Sequence, residues 1–414
     1  MNFDVVVVGA GLIGLSLAKA LDKAGISCAL VEQRVLSATL PQKHSNRVSA
    51  ITPASQKWLK DVGAWESIKP FACAYQNMFV YDGEGTGHID FKSSDVPCDN
   101  LGSIVENIRI IDSLTHLSSN VEVFDQCKVM SLSDVNKHGT RDVFLDNGQI
   151  LSCELIIGAD SKYSTIRELA KLDTAYWNYN QSAIVATVTV KKPANVLDYS
   201  DKSHRTCWQN FTYCGPLAFL PLYDINEQSV TTSTHSATAE KSDDVKRYSI
   251  VWSIDEDKID TFSSKELIEQ LKLHAPVNIG EILNVENDAT FPLTALHCNQ
   301  YTQAGLAIVG DAAHSIHPLA GQGANLGFAD AKKLFDVLID AKKHNISLGN
   351  AVILKRYERE RKLHNKIMQL AMEGFKRGFN GQNPVQVLLR NHAMNLTGHV
   401  LFPKSWIMTQ ALGK

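Results

Sequence analysis

The 414-residue sequence has few of the features that mark secreted, metal-binding or nucleic-acid-binding proteins. Its eight cysteines are scattered and form no CxxC pair, which argues against a zinc site or a disulfide framework. No secretory signal precedes the first apolar run, so we expect reduced thiols and a cytoplasmic protein. The net charge of −3 gives no electrostatic reason to expect nucleic acid as a partner. No apolar stretch reaches the roughly 18–20 residues that span a bilayer.

The first 34 residues are typical of a strand, a glycine-rich turn, a helix and a second strand. Residues 5–8 form a continuous β-branched run, as in a parallel strand that is buried on both faces. The turn has the pattern GxGxxG, formed by Gly9, Gly11 and Gly14. These glycines permit a tight turn, a close approach to a pyrophosphate and close packing of the helix on the strand. Glu32 ends the second strand where a carboxylate can bind ribose hydroxyls, so we predict a dinucleotide site for FAD or NAD.

A second signal near residue 310 decides between the two dinucleotides. The apolar run 306–309 is followed by Asp311, at the strand end where open α/β sheets bind ligands. Pro318 fixes the backbone, and the glycines within 320–325 offer bare backbone to a flat ring. A helix over about 325–340 would direct its positive end at the N1/O2 edge of a reduced flavin. The predicted cofactor is therefore FAD, with the adenosine on the first motif and the flavin on the last.

Three stretches resemble the fingerprints of the single-component flavoprotein aromatic hydroxylases. They are GxGxxG with Glu32, IIGADSKYSTIR (156–167) and GDAAHSIHPLAGQGANLGFAD (310–330). Within that family the chain is similar to the ubiquinone-biosynthesis hydroxylases. Its tail, GFKRGFNGQNPVQVLLRN (374–391), most resembles the 2-polyprenylphenol hydroxylases, which act at ring position C5. The resemblance runs from residue 4 to beyond residue 390.

The resemblance implies hydroxylation of the aromatic ring of a polyprenylated phenol or quinol. The oxygen would come from O2 through a flavin C4a-hydroperoxide, with NAD(P)H as a transient reductant. No second GxGxxG follows a strand, so no separate nicotinamide domain is expected. The resemblance implies that NAD(P)H binds transiently across the flavin face. Subunits of a ubiquinone biosynthetic complex are further possible partners.

The same resemblance assigns roles to individual residues. It places Arg47 near the FAD pyrophosphate, Asp160 and Arg167 in the middle fingerprint that serves pyrophosphate and nicotinamide, and Pro318 near flavin C4a. Asp311 matches the ribityl ligand. The predicted catalytic residues are His317, Pro318 and Gly321, and no metal ligands are predicted. The predicted cofactor-binding residues are Gly9, Gly11, Gly14, Glu32, Gln33, Arg34, Arg47, Arg109, Asp160, Arg167, Gly310, Asp311, Pro318, Gly321, Gln322, Gly323, Ala324 and Asn325.

Several positions leave alternatives open. His314 and His317 could act as general bases or, more ordinarily, hydrogen-bond the loop backbone. Ser161 replaces a glycine that is usual in the family, and Ile111 stands where relatives often carry glutamine, so a different local turn and one lost FAD contact are expected. Arg34 is more readily explained as a solvated side chain than as a ligand of a 2′-phosphate. Four aromatic residues of the middle segment could line a pocket or form plain core: Trp208, Phe211, Phe219 and Trp252.

The predicted fold class is α/β, with a Rossmann-like FAD domain interleaved with an antiparallel β-sheet substrate domain, as in p-hydroxybenzoate hydroxylase, and with C-terminal helices. Period-two alternation in the middle of the chain supports the antiparallel sheet. The FAD domain is expected from residues 1–70, 100–175 and 285–350. The substrate domain is expected from 71–99 and 176–284, and the helical region from 351–414.

Two questions about function remain open from the sequence. The substrate could instead be hydroxylated at C1 or C6, or be a small soluble phenol. A wide apolar tunnel that opens to the surface would favour the prenylated substrate, and a closed polar pocket with a carboxylate-binding Arg or Ser would favour the small phenol. A non-enzymatic alternative is an FAD-binding assembly subunit. The apolar segment 385–412 could pack on the FAD domain, contact partner subunits or dock peripherally on a membrane.

Overall fold

A parallel sheet carries the amino-terminal strand, as predicted. The structure, a computed structural model, describes residues 1–36, 44–191, 205–223, 245–261, 264–317 and 321–379, and isolated positions beyond. The strand order is β17-β18-β11-β1-β2-β8, with β10 and β9 added beside β11. Its strands are β1 (Asn2–Val8), β2 (Cys28–Val31), β8 (Glu122–Phe124), β9 (Val129–Leu132), β10 (Arg141–Leu145), β11 (Ile150–Gly158), β17 (Thr302–Gln303) and β18 (Leu306–Ile308). Residues 5–8 are at most 7% exposed because sheet neighbours and helices cover both faces of β1.

A second sheet is mostly antiparallel and has the order β19-β16-β12-β15-β14-β13-β5-β6. Its strands are β5 (Asn77–Asp82), β6 (His88–Lys92), β12 (Thr174–Lys191), β13 (Thr206–Thr212), β14 (Gly215–Pro221), β15 (Val245–Asp255), β16 (Glu281–Cys298) and β19 (His314–Ser315). A small third sheet joins β3 (Val48–Ile51), β7 (Gly102–Glu106) and β4 (Cys73–Tyr75) in that order. Segments of both large sheets alternate along the chain, so neither sheet is continuous in sequence.

The helices pack mainly on the parallel sheet. In the part of the chain that the structure describes they are α1 (Leu12–Lys23), α2 (Pro53–Val62), α3 (Trp65–Ile68), α4 (Asn107–His116), α5 (Thr165–Leu169), α6 (Ser264–His274), α7 (Gly323–Lys343) and α8 (Ala351–Phe379). Helix α7 begins two residues before the predicted start at about 325. None of these described helices is long and apolar enough to cross a membrane.

The two faces of the antiparallel sheet differ in what they contact. Trp208, Phe219 and Trp252 lie on the face that packs into a core with Leu267 and Leu271 of α6. Because side chains alternate along a strand, Phe211 lies on the opposite face, where it is opposed by Pro216. The core interpretation of the first three aromatic residues is therefore the one that the structure supports.

The predicted fold class is confirmed, with a Rossmann-like unit interleaved with an antiparallel sheet and followed by helices. The domain limits given above stay predictions. The chain passes between the parallel and antiparallel sheets several times, since β5 and β6 belong to the second sheet while β8 to β11 return to the first.

Replacing Trp252 by alanine should destabilise the fold, because it removes a large side chain from the core on one face of the antiparallel sheet. Trp252 is fully buried between strands β12 and β14, so its loss should cost about 3–5 kcal/mol of unfolding free energy. The thermal unfolding midpoint should fall by several degrees, whereas Leu283→Ala, at a half-exposed site on β16, should leave it nearly unchanged. An unchanged midpoint in the Trp252 variant would contradict this assignment.

Candidate active site

Four predicted segments meet at one edge of the parallel sheet. The neighbouring strands β18, β11, β1 and β2 are all parallel, so their carboxyl ends share an edge. Gly310 follows β18, Asp160 follows β11, Gly9 follows β1 and Glu32 follows β2. One edge of the sheet therefore carries Gly9, Glu32, Asp160 and Gly310, although they are far apart in sequence. This edge borders the cleft in which open α/β sheets bind ligands.

The three glycines of the first turn have three different surroundings. Gly9 has φ +104°, a conformation that favours glycine. A Cβ on Gly14 would lie 1.9 Å from the Gly9 carbonyl oxygen, so helix and strand could not approach as they do. A Cβ on Gly11 would meet no heavy atom of the described residues within 4 Å. Gly11 therefore borders open space at the start of α1, where a pyrophosphate would receive the helix amides.

The Glu32 carboxylate is held beside this turn by two backbone amides. Its Oε2 accepts a hydrogen bond from the Ala10 amide at 2.7 Å, and its Oε1 accepts one from the Arg34 amide at 3.0 Å. Each oxygen keeps a further lone pair that can accept a ribose hydroxyl. The Gln33 and Arg34 side chains are exposed.

In the middle fingerprint, Ser161 occupies the position at which the family usually has glycine. Ser161 adopts φ +70°, the left-handed conformation that glycine would supply without strain. Whether the local turn differs from that of the family stays a prediction. Asp160 Oδ2 accepts from the Ile166 amide at 3.1 Å, and its Oδ1 has no hydrogen-bond partner among the described residues. Burial raises the pKa of Asp160.

Arg167 connects the middle fingerprint to the last one. Its guanidinium donates to the Ala312 carbonyl at 3.0 Å and to the Lys162 carbonyl at 2.7 Å. In this conformation Arg167 joins the two loops through backbone carbonyls, and Asp160 Oδ1 is buried beside them. Ile111, at the position of the expected glutamine, packs against the hydrophobic core instead.

Asp311 lies in a short 3-10 turn, Gly310–Ala312, at the end of β18. Its carboxylate keeps solvent access, but dense protein surroundings raise its pKa by desolvation, which the positive charges of His314, Arg47 and Lys162 oppose. Arg47 is exposed, and its guanidinium lies 5.5 Å from the centre of the Phe291 ring. The acid predicted for the ribityl chain and the arginine predicted for the pyrophosphate therefore share one side of the cleft.

The glycine-rich segment 320–325, called the flavin loop below, leads into helix α7. Gly321 has φ +59° and faces Ala50 of β3, and a Cβ on Gly323 would meet no heavy atom of the described residues within 4 Å. Gln322, Gly323 and Ala324 are partly accessible. Residues 318–320, which include the predicted Pro318, lie outside the described residues.

The Asn325 side chain is engaged with the protein. Its Nδ2 donates to the Ala50 carbonyl at 2.8 Å, and its Oδ1 accepts from the Thr52 amide and the Ser55 hydroxyl at 3.1 and 2.8 Å. Asn325 thus joins the first turn of α7 to β3 and α2. It can serve a cofactor through its backbone and by positioning the loop.

Arg109 lies in a cluster that the sequence did not reveal. Its guanidinium stacks over the Phe71 ring at 4.4 Å, and its Nε is 3.8 Å from Glu106 Oε2. Glu106 is 1% exposed and accepts hydrogen bonds from the Tyr223 hydroxyl at 2.8 Å and from the Ser45 amide. Burial alone would raise the pKa of Glu106, but hydrogen bonds from His44, Ser45 and Tyr223 lower it.

A buried network fastens the last fingerprint to α7 and α8. Asp330 is fully buried; its Oδ2 lies 2.5 Å from His314 Nε2 and 3.1 Å from the Gly310 amide. Its Oδ1 accepts from Arg361 Nε at 2.7 Å and from Asn365 Nδ2 at 3.1 Å. Burial would raise the pKa of Asp330, yet His314 and Arg361 outweigh it and lower that pKa below its usual range. The described contact of His314 is with the Asp330 carboxylate rather than with the loop backbone, and its two predicted roles stay predictions.

A cavity of about 110 Å³ separates the flavin loop from the antiparallel sheet. Its described lining residues are Val48, Ala50, Tyr75, Met78, Cys207, Gln209, Pro216, Ala218, Leu220, Val251, Ser253 and Gly321, and none of these is charged. Burial raises the pKa of Tyr75 and of Cys207, so both remain neutral beside the cavity. The cavity is therefore mainly apolar, with the side chains of Tyr75, Gln209 and Ser253 as polar contacts.

The cleft fits FAD at both ends. At the first end Gly11 leaves space before a helix start beside the Glu32 carboxylate, and at the other Asp311 and Gly323 are accessible before a second helix start. The described ranges contain no group of His, Cys, Asp or Glu that could hold a metal ion. An FAD cleft beside a mainly apolar cavity defines a flavin-dependent enzyme.

Comparison with known proteins assigns the family. The family model described as FAD binding domain matches residues 2–371. The chain is 31% identical to the 3-demethoxyubiquinol 3-hydroxylase of Escherichia coli K12, over 99% of the chain and 98% of that protein. It is 32% identical to the human mitochondrial ubiquinone biosynthesis monooxygenase COQ6, over 99% and 92%. The chain therefore belongs to this family of FAD-dependent monooxygenases, which confirms the predicted cofactor and enzyme class.

Solved structures show the same fold at low identity. The p-nitrophenol 4-monooxygenase PnpA of Pseudomonas putida DLL-E4 aligns with a TM-score of 0.77 and 17% identity, covering 99% of this chain and 98% of that one. PqsL of Pseudomonas aeruginosa aligns with a TM-score of 0.71 and 18% identity, covering 95% and 99%. Both are FAD-dependent or aromatic-ring monooxygenases by description, and at this identity they support the fold alone.

Two glycine substitutions should separate cofactor binding from folding. Gly11→Ala should fold with an unchanged unfolding midpoint of the apoprotein but lose most of its FAD, because the added methyl group fills the space next to the pyrophosphate position. Gly14→Ala should lower that midpoint as well, since its Cβ collides with the Gly9 carbonyl. Flavin absorbance per protein and apoprotein melting curves measure both effects. Full flavin content in Gly11→Ala would contradict the assigned pyrophosphate position.

Removing the arginine that pairs with Asp330 should destabilise the protein. Arg361→Met leaves a buried carboxylate with one cationic partner, which should cost about 3 kcal/mol, whereas Arg359→Met at an exposed position of the same helix should cost little. Because the folded pKa of Asp330 is lowered, its pairing stabilises the protein fully above about pH 4, the unfolded value, and is lost as pH falls below it. The gap between variant and wild-type melting midpoints should narrow in acid. A gap that is constant with pH would contradict the role of the charge.

Proposed function

We propose that the protein hydroxylates the aromatic ring of a polyprenylated phenol or quinol intermediate of ubiquinone biosynthesis. The observation that carries the proposal is the uncharged, mainly apolar cavity between Gly321 of the flavin loop and the antiparallel sheet. A prenylated ring has no carboxylate to pair, which suits a cavity whose described lining residues include no arginine. The full-length similarity to two enzymes named for ubiquinone biosynthesis or for demethoxyubiquinol hydroxylation supports the same substrate class.

The residues of the chain would bind and orient the two reactants. FAD, reduced by NAD(P)H, supplies an activated oxygen atom from O2 when it is bound. The amides at the start of α1 would hold the pyrophosphate, Glu32 a ribose and Asp311 the ribityl chain. The amides at the start of α7 would stabilise negative charge on the reduced ring.

The cavity would position the substrate ring and exclude water. Tyr75, Gln209 and Ser253 offer neutral hydrogen-bonding groups that can orient a phenolic hydroxyl, while the apolar lining covers the ring. Ser253 is the one feature shared with the pocket expected for a small phenolic acid. Because no cation accompanies it among the described lining residues, the cavity does not favour that alternative.

The ring position has C5 as its first candidate, with C1 and C6 as the alternatives from the sequence. The resemblance of the tail to the 2-polyprenylphenol hydroxylases favours C5, which we retain as the first candidate. The E. coli relative named as a 3-demethoxyubiquinol 3-hydroxylase favours a second position. We further propose a cytoplasmic protein with subunits of a ubiquinone biosynthetic complex as partners.

Most of segment 385–412 lies outside the described residues, so its proposed membrane contact stays a prediction. The described positions pack on the protein. Met408 and Leu412 belong to an apolar cluster with Ala50 and Tyr75, which line the cavity. The Asn391 side chain donates to Asp82 Oδ2 at 2.8 Å. At these positions the interpretation as packing against the protein is favoured.

Turnover with paired substrates tests the proposal. The FAD-loaded protein with NAD(P)H and O2 should hydroxylate a 2-polyprenylphenol or a 3-demethoxyubiquinol with a kcat/KM at least tenfold above that for 4-hydroxybenzoate. Ala218→Phe, which fills the cavity, should lower this activity at least tenfold with the flavin content unchanged. Mass spectrometry of the product identifies the ring position. A preference for the phenolic acid, or no hydroxylation of either prenylated ring, would overturn the proposal.

A further inference from the structure

A string of four side chains leads from the surface to the flavin loop. Lys258 Nζ lies 3.4 Å from Asp255 Oδ2, and the other carboxylate oxygen, Oδ1, accepts a hydrogen bond from Gln181 Nε2 at 2.8 Å. Gln181 Oε1 lies 3.2 Å from His317 Nε2. Gln181 and His317 are each 1% exposed, whereas Asp255 and Lys258 are each 35% exposed at the side chain. The string therefore begins in partial contact with solvent and ends next to residue 318.

The Asp255 carboxylate fixes the orientation of the Gln181 amide. A carboxylate has only acceptor atoms, so it requires the NH2 group of the glutamine and repels its carbonyl oxygen. Lys258 Nζ contacts the other oxygen of the same carboxylate. The amide carbonyl must then point at His317. A flipped amide would place two acceptors 2.8 Å apart.

The orientation of the amide in turn determines the proton of the imidazole. The glutamine carbonyl is an acceptor, so the nitrogen opposite it, Nε2 of His317, must carry a hydrogen. In the neutral ring the lone pair then resides on Nδ1. Tyr179 packs edge-on against the same ring at 4.9 Å and 76°, which limits its rotation. Both the plane of the ring and the site of its proton are thus set by neighbours on β12 and β15.

The string lies on the same sheet face as the cavity. Gln181 is opposite Asp255 in the register of β12 and β15, and Ala183 is opposite Ser253, which lines the cavity. Residues two apart on a strand share a face, so the two paired positions continue the cavity wall towards the flavin loop. The wall that contacts the substrate is therefore joined to the residue that precedes the loop.

We infer that Asp255 and Gln181 are positioning residues that hold the proton of His317 on Nε2 and thereby fix the imidazole at the entrance to the flavin loop. The functional consequence rests on the proposed function. When the imidazole is fixed, the flavin loop would hold the flavin and the substrate in the relative position that hydroxylation requires. When Asp255 or Gln181 is replaced, a larger fraction of NAD(P)H oxidation yields hydrogen peroxide instead of hydroxylated product. Neither residue is among the described residues that line the cavity.

Nitrogen NMR tests the tautomer independently of any substrate. In the FAD-loaded protein labelled with 15N-histidine, the signal absent from His317→Gln identifies His317. It should show a protonated Nε2 and an unprotonated Nδ1, with the Nε2 proton protected from exchange. Asp255→Asn should lower that protection at least tenfold, since an asparagine can present either group to the amide. Gln181→Met should do the same if the first variant fails to fold.

Peroxide release tests the functional consequence. With a prenylated substrate, Asp255→Asn should raise the fraction of NAD(P)H oxidation that yields hydrogen peroxide at least threefold, with KM and flavin content little changed. Asp257→Asn removes the same charge two residues away at an exposed site and should change neither readout. An Nδ1-protonated His317 in the wild type, or unchanged proton protection in Asp255→Asn, would overturn the inference. Altered protection of the Nε2 proton with unchanged peroxide release would also overturn the inference. None of these results depends on which prenylated ring is the substrate.

Discussion

The buried charge of Asp330 is the constraint on which the rest of the site depends. An ionised carboxylate without water must be paired and hydrogen-bonded, and here the partners come from the turn after β18, from the edge strand β19 and from α8. These contacts fix the end of the parallel sheet relative to both long helices. The accessible carboxylate of Asp311 and the start of α7 acquire defined positions from this pairing.

The same network connects the cofactor unit to the antiparallel sheet. His314, which pairs with Asp330, lies on β19, and β19 pairs with the end of β16. Three residues later His317 contacts Gln181 of β12. The segment between β18 and α7 is therefore held on one side by a buried ion network and on the other by a sheet.

The sequence predicted local features well and long-range pairing poorly. The buried strand 5–8, the glycine turn with Glu32 and the alternating middle segment follow from periodicity and backbone sterics, which act over a few residues. The contacts of Tyr223 with Glu106, of Arg361 with Asp330 and of His317 with Gln181 join residues 117, 31 and 136 positions apart. A single sequence carries no signal for such pairs, since each partner alone looks like an ordinary polar residue. Ser161 shows the reverse case, because its backbone keeps the conformation that its residue type disfavours.

The alternation along β13 to β15 has a consequence for how substrate range can diverge. Cys207, Ala218 and Val251 contact the cavity, while their chain neighbours Trp208, Phe219 and Trp252 fill the opposite side. Replacements at the first three positions reshape the chamber and leave the packed layer beneath it intact. Relatives can therefore change which ring they accept through substitutions at these cavity-facing positions, while the stability of the packed layer is retained.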